Sequence, residues 1–218
     1  MINLFLNSRR PFIIGAICLI GVFLCSILIY FTWFKSTNMH KYLIIDEIVH
    51  FNGEQFIAQS VNLTAINLGR QIGVTDEKHQ VYEIIGQKND EFICIRHDGL
   101  ETVYKESNVP YLIVERFNTD KIVQHHETQL SGQQVTISQK DVITKVLSYI
   151  KDENIVNDSG IKADVKKLKL YSEKFPGLCF ILYYLHDEDN GNCFIYDPNL
   201  EKTWKIGHEL MSDSNMVH

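Results

Sequence analysis

The sequence has no surplus of positive charge. Lys and Arg number 21 against 27 Asp and Glu, a formal net charge of −6 over 218 residues. A chain built to hold nucleic acid usually carries a basic balance and a basic patch. Neither is present, so nucleic acid is not an expected partner. Common catalytic signatures are missing too. There is no Gly-x-Ser-x-Gly elbow, no phosphate-cradling glycine-rich loop and no His-Glu-x-x-His. No internal repeat and no low-complexity stretch divides the chain. Beyond the N-terminal segment the cysteines are Cys94, Cys179 and Cys193, an odd number that allows at most one disulfide.

What the sequence does have is one long apolar run. Residues 12–34, about 23 of them, carry no charge, which is long enough to cross a bilayer as a helix. Arg9, Arg10 and Pro11 close the run on one side and Lys35 on the other. Tyr30, Trp33 and Phe34 lie at its far end, where amphipathic rings favour the headgroup layer. A cleaved signal peptide would have a shorter apolar region and a small-x-small site, and Tyr30-Phe31-Thr32-Trp33-Phe34-Lys35 offers none. Lipidation of a signal-peptide cysteine needs a small residue before it, whereas Leu24 precedes Cys25 and Ile17 precedes Cys18. The run therefore reads as an uncleaved signal anchor. Lys35 and Lys41 balance Arg9 and Arg10 in number. The arginines are adjacent and abut the span, so the N-terminus is expected in the cytoplasm and the following domain outside.

After a short polar tether the chain is rich in strand signals. Tyr42 to Phe51 reads as one strand ending at Asn52-Gly53, a strong hairpin signal, with Gln55 to Val61 returning. Asn62 to Gly73 is ambiguous, its glycines arguing for a loop. Val81–Ile85, Phe92–Arg96, Thr102–Tyr104 and Tyr111–Phe117 read as short strands separated by turns such as His97-Asp98-Gly99. One helix is expected from about Gln139 to Asp152, because Val142, Ile143, Val146, Leu147 and Ile150 recur at helical spacing. Ser138, with Asp141 three residues on, resembles a capping box. The helix should end before Asn157-Asp158-Ser159-Gly160.

A meander follows. In Lys167–Tyr171 leucine alternates with lysine, leaving one face wet. Pro176-Gly177 is a turn. Leu178–Leu185, apolar on both faces, should be the most buried strand. Asn192–Tyr196 returns, Asp197-Pro198-Asn199 turns, and Thr203–Ile206 closes with Trp204 and Ile206 inward. His208–His218 reads as a tail. If His186 faces Asn192, then Cys193 faces Leu185 and lies roughly 20 Å from Cys179 at about 3.3 Å per residue. A disulfide needs Cα atoms within about 7 Å, so both cysteines are read as small buried side chains.

Leu68-Gly69-Arg70-Gln71-Ile72-Gly73, Val81-Tyr82-Glu83-Ile84-Ile85-Gly86 and Glu91-Phe92-Ile93 resemble segments of small membrane-anchored proteins of Gram-positive bacteria. The resemblance implies anchoring and a bacterial setting, and it carries no catalytic residue.

Several constellations invite a site and are read as structure instead. His186 to Asp197 echoes a calcium loop, with Glu188 and Asn190 at ligand positions, Gly191 at the turn and Asp197 at the closing acid. Its first position is His rather than Asp, and strands flank it instead of helices. His125-His126-Glu127 suggests a metal, but neighbours on an extended backbone point to opposite faces; a surface loop is expected. Cys94 and Cys179 sit mid-strand among Ile and Phe, where a thiol is packing rather than nucleophile. Phe180–Tyr184 could line a groove but reads as core. Asn62-Leu63-Thr64 and Asn157-Asp158-Ser159 match the glycosylation acceptor pattern, which matters only in a eukaryotic secretory pathway.

The fold class expected is α+β: a single N-terminal transmembrane helix, then a mainly antiparallel, strand-rich domain with one amphipathic helix. The segments are a cytoplasmic tail (1–11), the span (12–34), a tether (35–41), a strand-rich unit (42–118) and a helix-plus-meander unit (119–218), with the division near 118–135. The function expected is a membrane-anchored extracytoplasmic binding or interaction domain. Its partners would be the bilayer, through residues 12–34, and a protein or cell-envelope component. No catalytic, cofactor or metal residue is assigned. One alternative is an envelope-polymer hydrolase with paired carboxylates in a cleft, one of them with a raised pKa. Another is an accessory subunit docking through Gly15, Ala16 and Gly21.

Overall fold

The computed structural model describes residues 19–30, 39–60, 62–126, 134–151, 154–156, 163–187 and 189–207. Met1–His40 and Lys41–His218 are separate compact units. In the first, residues 19–30 form helix α1. Its large apolar side chains, including Leu19, Phe23, Leu24 and Ile29, are exposed. No helix among the described residues is long and apolar enough to cross a membrane. The expected tail 1–11 lies outside the described residues, as do 12–18 and 31–34 of the expected span and most of the tether. The Asn157–Gly160 turn and the tail from His208 lie outside them as well.

The second unit begins with tight turns. Asn52-Gly53 and Asp98-Gly99 take positive φ at both positions (51° and 87°, 47° and 83°), the conformation that matches the twist of flanking strands. Each closes a hairpin: β2 (Ile48–Phe51) with β3 (Glu54–Ala58), and β7 (Phe92–His97) with β8 (Leu100–Glu106). Tyr42 to Phe51 is not one strand. Asp46 and Glu47, both at positive φ, break it into β1 (His40–Ile45) and β2. Asn62 to Gly73 is not a loop either. It contains β4 (Leu63–Ala65) and the start of β5 (Leu68–Thr75), which pairs with β6 (Gln80–Ile84).

β1, β2, β3, β8, β7, β6 and β5 close into a seven-stranded barrel. At the closure Asp76 N donates to Tyr42 O at 2.9 Å, and Ile44 N to Asp76 Oδ1 at 3.1 Å. Tyr42, Val49, Phe56, Val81, Ile93 and Ile95 form one buried cluster. β7 is buried on both faces because its period-two alternation serves two cores. Ile93 and Ile95 belong to that cluster, while Phe92 and Cys94 join a larger one shared with the second sheet.

That second sheet has eight strands. Its path runs β10 (Gln134–Ile137), β9 (Lys121–His126), β12 (Ala163–Tyr171), β13 (Leu178–Asp187), β14 (Cys193–Asp197), β15 (Lys202–Ile206) and β11 (Ile155–Val156). β4, although flanked in sequence by barrel strands, pairs with β13 through Leu178↔Ala65, Cys179↔Thr64 and Phe180↔Leu63. Along the barrel path from β1 to β5, and between neighbours in the second sheet, the strands pair antiparallel. The larger core includes Leu168, Leu170, Phe180, Leu182, Ile195, Trp204 and Ile206 from the sheet, with Ile84, Phe92 and Val103 from the barrel strands. Each such aliphatic side chain contributes about 1.5–3 kcal/mol on burial.

Two helices complete the unit. Tyr111–Phe117, expected as a strand, holds the short helix α2 (Val114–Phe117), ended by Asn118 at φ 57°. The apolar stripe of the predicted long helix is present on α3 (Lys140–Ser148) and just after it. Ile143, Val146 and Ile150 are in the large core, and Val142 and Leu147 pack against it. The cap differs from expectation: Gln139 occupies the N-cap position and no side chain caps it.

The hairpin at β13–β14 is one residue out of the expected register. His186 pairs with Cys193 and Leu185 with Phe194. The cause is Asp187, which extends β13 and organises the turn. Its backbone N donates to Asn192 O at 2.9 Å, and its carboxylate accepts from Asp189 N at 3.0 Å and Asn190 Nδ2 at 3.0 Å. The shift places Cys193 on the opposite face from Cys179. Cys94, Cys179 and Cys193 are free and buried.

Candidate binding cleft

A cleft of about 420 Å³ opens among residues that are far apart in sequence. Ala58, Gln59, Ser60 and Asn62, where the chain leaves β3 for β4, form one wall. The loop into α2, from Tyr111 to Glu115, forms another. Phe180 of β13, Ile150 after α3, and the turn Asp197, Asn199 and Leu200 complete the lining. Most of these are apolar, as ligand pockets generally are.

The chain is drawn into this wall by backbone bonds. Gln59 N donates to Val103 O at 2.8 Å, holding the exit from β3 against β8. Leu63 N donates to Ser60 O at 3.0 Å, and Ile181 N to Asn62 O at 2.7 Å, turning the chain onto β13. Gln59 and Asn62 are thereby carried inside, at 6% and 2% exposure.

A buried polar atom without a partner costs about 1–3 kcal/mol. Three such atoms gather here: Gln59 Nε2, Ser60 Oγ and Asn62 Oδ1. Their identities follow from the bonds their side chains do make. Gln59 Oε1 accepts from Leu112 N at 2.9 Å, which leaves the amide nitrogen without a partner. The Asn62 side chain donates to Asp197, which leaves its carbonyl oxygen. The wall therefore holds one fixed donor and one fixed acceptor beside a hydroxyl.

Asp197 is the charged floor of the cleft, 2% exposed. Its Oδ1 accepts from Asn199 N at 2.7 Å and Leu200 N at 3.1 Å. Burial raises its pKa, against the lowering effect of these bonds and of Asn62, and the charge of Glu115 raises it further. Among the described residues the lining holds these two acids and no basic side chain. The nearby cation, Lys105, lies behind Tyr111. It is buried, its Nζ 4.4 Å from the Tyr111 ring centroid and bonded at 3.3 Å to each of Glu106 O and Ser107 O. Burial lowers its pKa.

The residues singled out from sequence fall elsewhere, with three exceptions, one of them Asn62 of the acceptor pattern. Phe180 lines the cleft while also belonging to the core, and Asp197, considered there as a calcium ligand, is its floor. His186 and Asp187 are strand residues, Gly191 and Asn192 enter β14, and Glu188 lies outside the described residues. His125 and His126 are on strand β9 rather than a loop, and Glu127 lies outside the described residues. No group of three or more His, Cys, Asp or Glu able to hold a metal gathers among the described residues. Burial raises the Cys94 pKa to about 12 and that of Cys179 to about 11, which keeps both as unreactive thiols at neutral pH. Asn62, in the acceptor pattern, is buried. Sequence reading passed over Gln59, Ser60 and Glu115; the one available signal was the polar Gln59-Ser60 pair directly after the apolar Phe56-Ile57-Ala58.

Comparison of the chain with protein-family models, with curated proteins and with solved structures finds no match.

Proposed function

We propose that the chain is a membrane-anchored extracytoplasmic binding domain, with the cleft between β3, α2 and the β14–β15 turn as its ligand site. The observation that carries the reading is the gathering of Gln59 Nε2, Ser60 Oγ and Asn62 Oδ1 in one wall of a largely apolar cleft. Unpartnered polar atoms are rare in native interiors, and convergent polar groups in an apolar pocket are the usual form of a ligand site. Anchoring is supported by the uncharged run 12–34 and by the apolar side chains exposed along α1. Such a helix is expected in lipid rather than in water.

Two measurements test it. Protease added to intact cells should remove the domain from a chain that sediments with membranes. Full-length protein left in the supernatant of a detergent-free lysate overturns the anchor. For the cleft, a defined library of small fragments is screened by saturation-transfer NMR on the full chain in detergent micelles. Fragments should bind the native chain and be lost in Ala58→Trp, which fills the cleft; no Ala58→Trp-sensitive binding overturns the site.

A second reading is favoured by the two acids. Glu115 and Asp197 line one cleft, and Asp197 has the raised pKa expected of a general acid. This reading makes the chain an envelope-polymer hydrolase. Release of reducing ends from cell-wall polymer, lost in both Asp197→Asn and Glu115→Gln, supports it over simple binding. Against it, Asp197 already holds its own turn through two backbone N–H groups.

A further inference from the structure

We infer that the cleft selects a secondary amide flanked by apolar groups, either a peptide bond or the acetamido group of a sugar; this rests on the cleft being the ligand site.

The argument is one of hydrogen-bond inventory. Gln59 offers a donor at Nε2, because the bond from Leu112 N to Oε1 fixes which way round the amide lies. Asn62 offers an acceptor, because its side chain donates to Asp197. A carboxylate, phosphodiester or ester brings only acceptors and leaves Asn62 Oδ1 unmet. A carboxylate or phosphate also meets the negative charges of Glu115 and Asp197. An ammonium brings only donors and leaves Gln59 Nε2 unmet. A secondary amide brings a carbonyl and an N–H on separate atoms and satisfies both. Its flanking carbons suit the surrounding Leu112, Val114 and Phe180.

The three unpartnered atoms are shielded from bulk solvent. A hydrogen bond made there does not compete with water, and omission of one is costly.

The test uses the full chain in detergent micelles and matched pairs of probes. N-acetylglucosamine is compared with glucose, and a capped dipeptide with its ester analogue that lacks the central N–H. The amide of a pair should bind at least about tenfold tighter than its partner, and Gln59→Glu, which keeps the acceptor and removes the donor, should erase that preference. Preference within the sugar pair alone identifies a glycan source, and within the peptide pair alone a peptide source; either supports the inference. If Gln59→Glu does not fold, the matched pairs on the native chain decide by themselves. Fragments that bind the cleft with no preference for amide over ester or hydroxyl overturn the inference and leave the site standing. Absence of any binding that Ala58→Trp removes overturns the site itself.

Discussion

Cys94 and Cys179 differ from reactive thiols in having no accessible surface. Their pKa values, pushed up by burial to about 12 and about 11, leave almost no thiolate at neutral pH. Maleimide added to the folded chain should leave both unmodified, and unfolding in denaturant should expose both to modification, as read by mass spectrometry. His125 makes the complementary case. Burial, then Lys169 and Lys167, lower its pKa, while Gln134 Nε2 lies 3.3 Å from its Nδ1. The neutral ring is favoured in the fold. The stability present above the ordinary histidine value is therefore lost as pH falls towards the lowered one. The fall in Tm between about pH 7.5 and about pH 5 should be smaller in His125→Gln than in the native chain.

At the scale of elements, turn chemistry decided what could be read. Asn52-Gly53 and Asp98-Gly99 were legible because glycine accepts positive φ at no steric cost. Asp46-Glu47 was not, since two acids at φ 51° and 65° run against preference. The turn forms because β1 and β2 both bury residues in the barrel, Tyr42 and Val49 among them. Glu47→Gly should relieve this and stabilise the domain by about 0.5–1 kcal/mol, measured by thermal melting of the full chain in detergent. The stripe of α3 was legible from its period. Tyr111–Phe117 misled because its continuous apolar run, Tyr111 to Val114, reads as a strand yet leads into a short helix whose buried members are Val114 and Phe117. Phe117 is fixed by the rings of Phe180 and Phe175, at 4.9 and 5.7 Å, contacts from a strand and a turn more than fifty residues on. The cleft was illegible for the same reason. Gln59, Glu115 and Asp197 meet only after both sheets have formed, and no local spacing announces them.

For the whole of Lys41–His218, the outer face of β6–β8 and the inner face of the second sheet bury one continuous core. Phe92, on a barrel strand, belongs to it beside Leu182 and Ile195. Phe92→Ala should cost about 3–5 kcal/mol. The loss should register equally in native-state hydrogen exchange of the Ile93 amide and of the Ile195 amide. Unequal losses would mean that the barrel and the sheet open as separate cooperative units.

β4 gives this architecture a hereditary consequence. The chain leaves the barrel after β3, lends Leu63–Ala65 to β13, and returns as β5. No single cut separates the two sheets with their strands intact. A crossover joining the first half of one such gene to the second half of another would strand a borrowed segment on a foreign neighbour. The two sheets must therefore be inherited, and must diverge, as a pair.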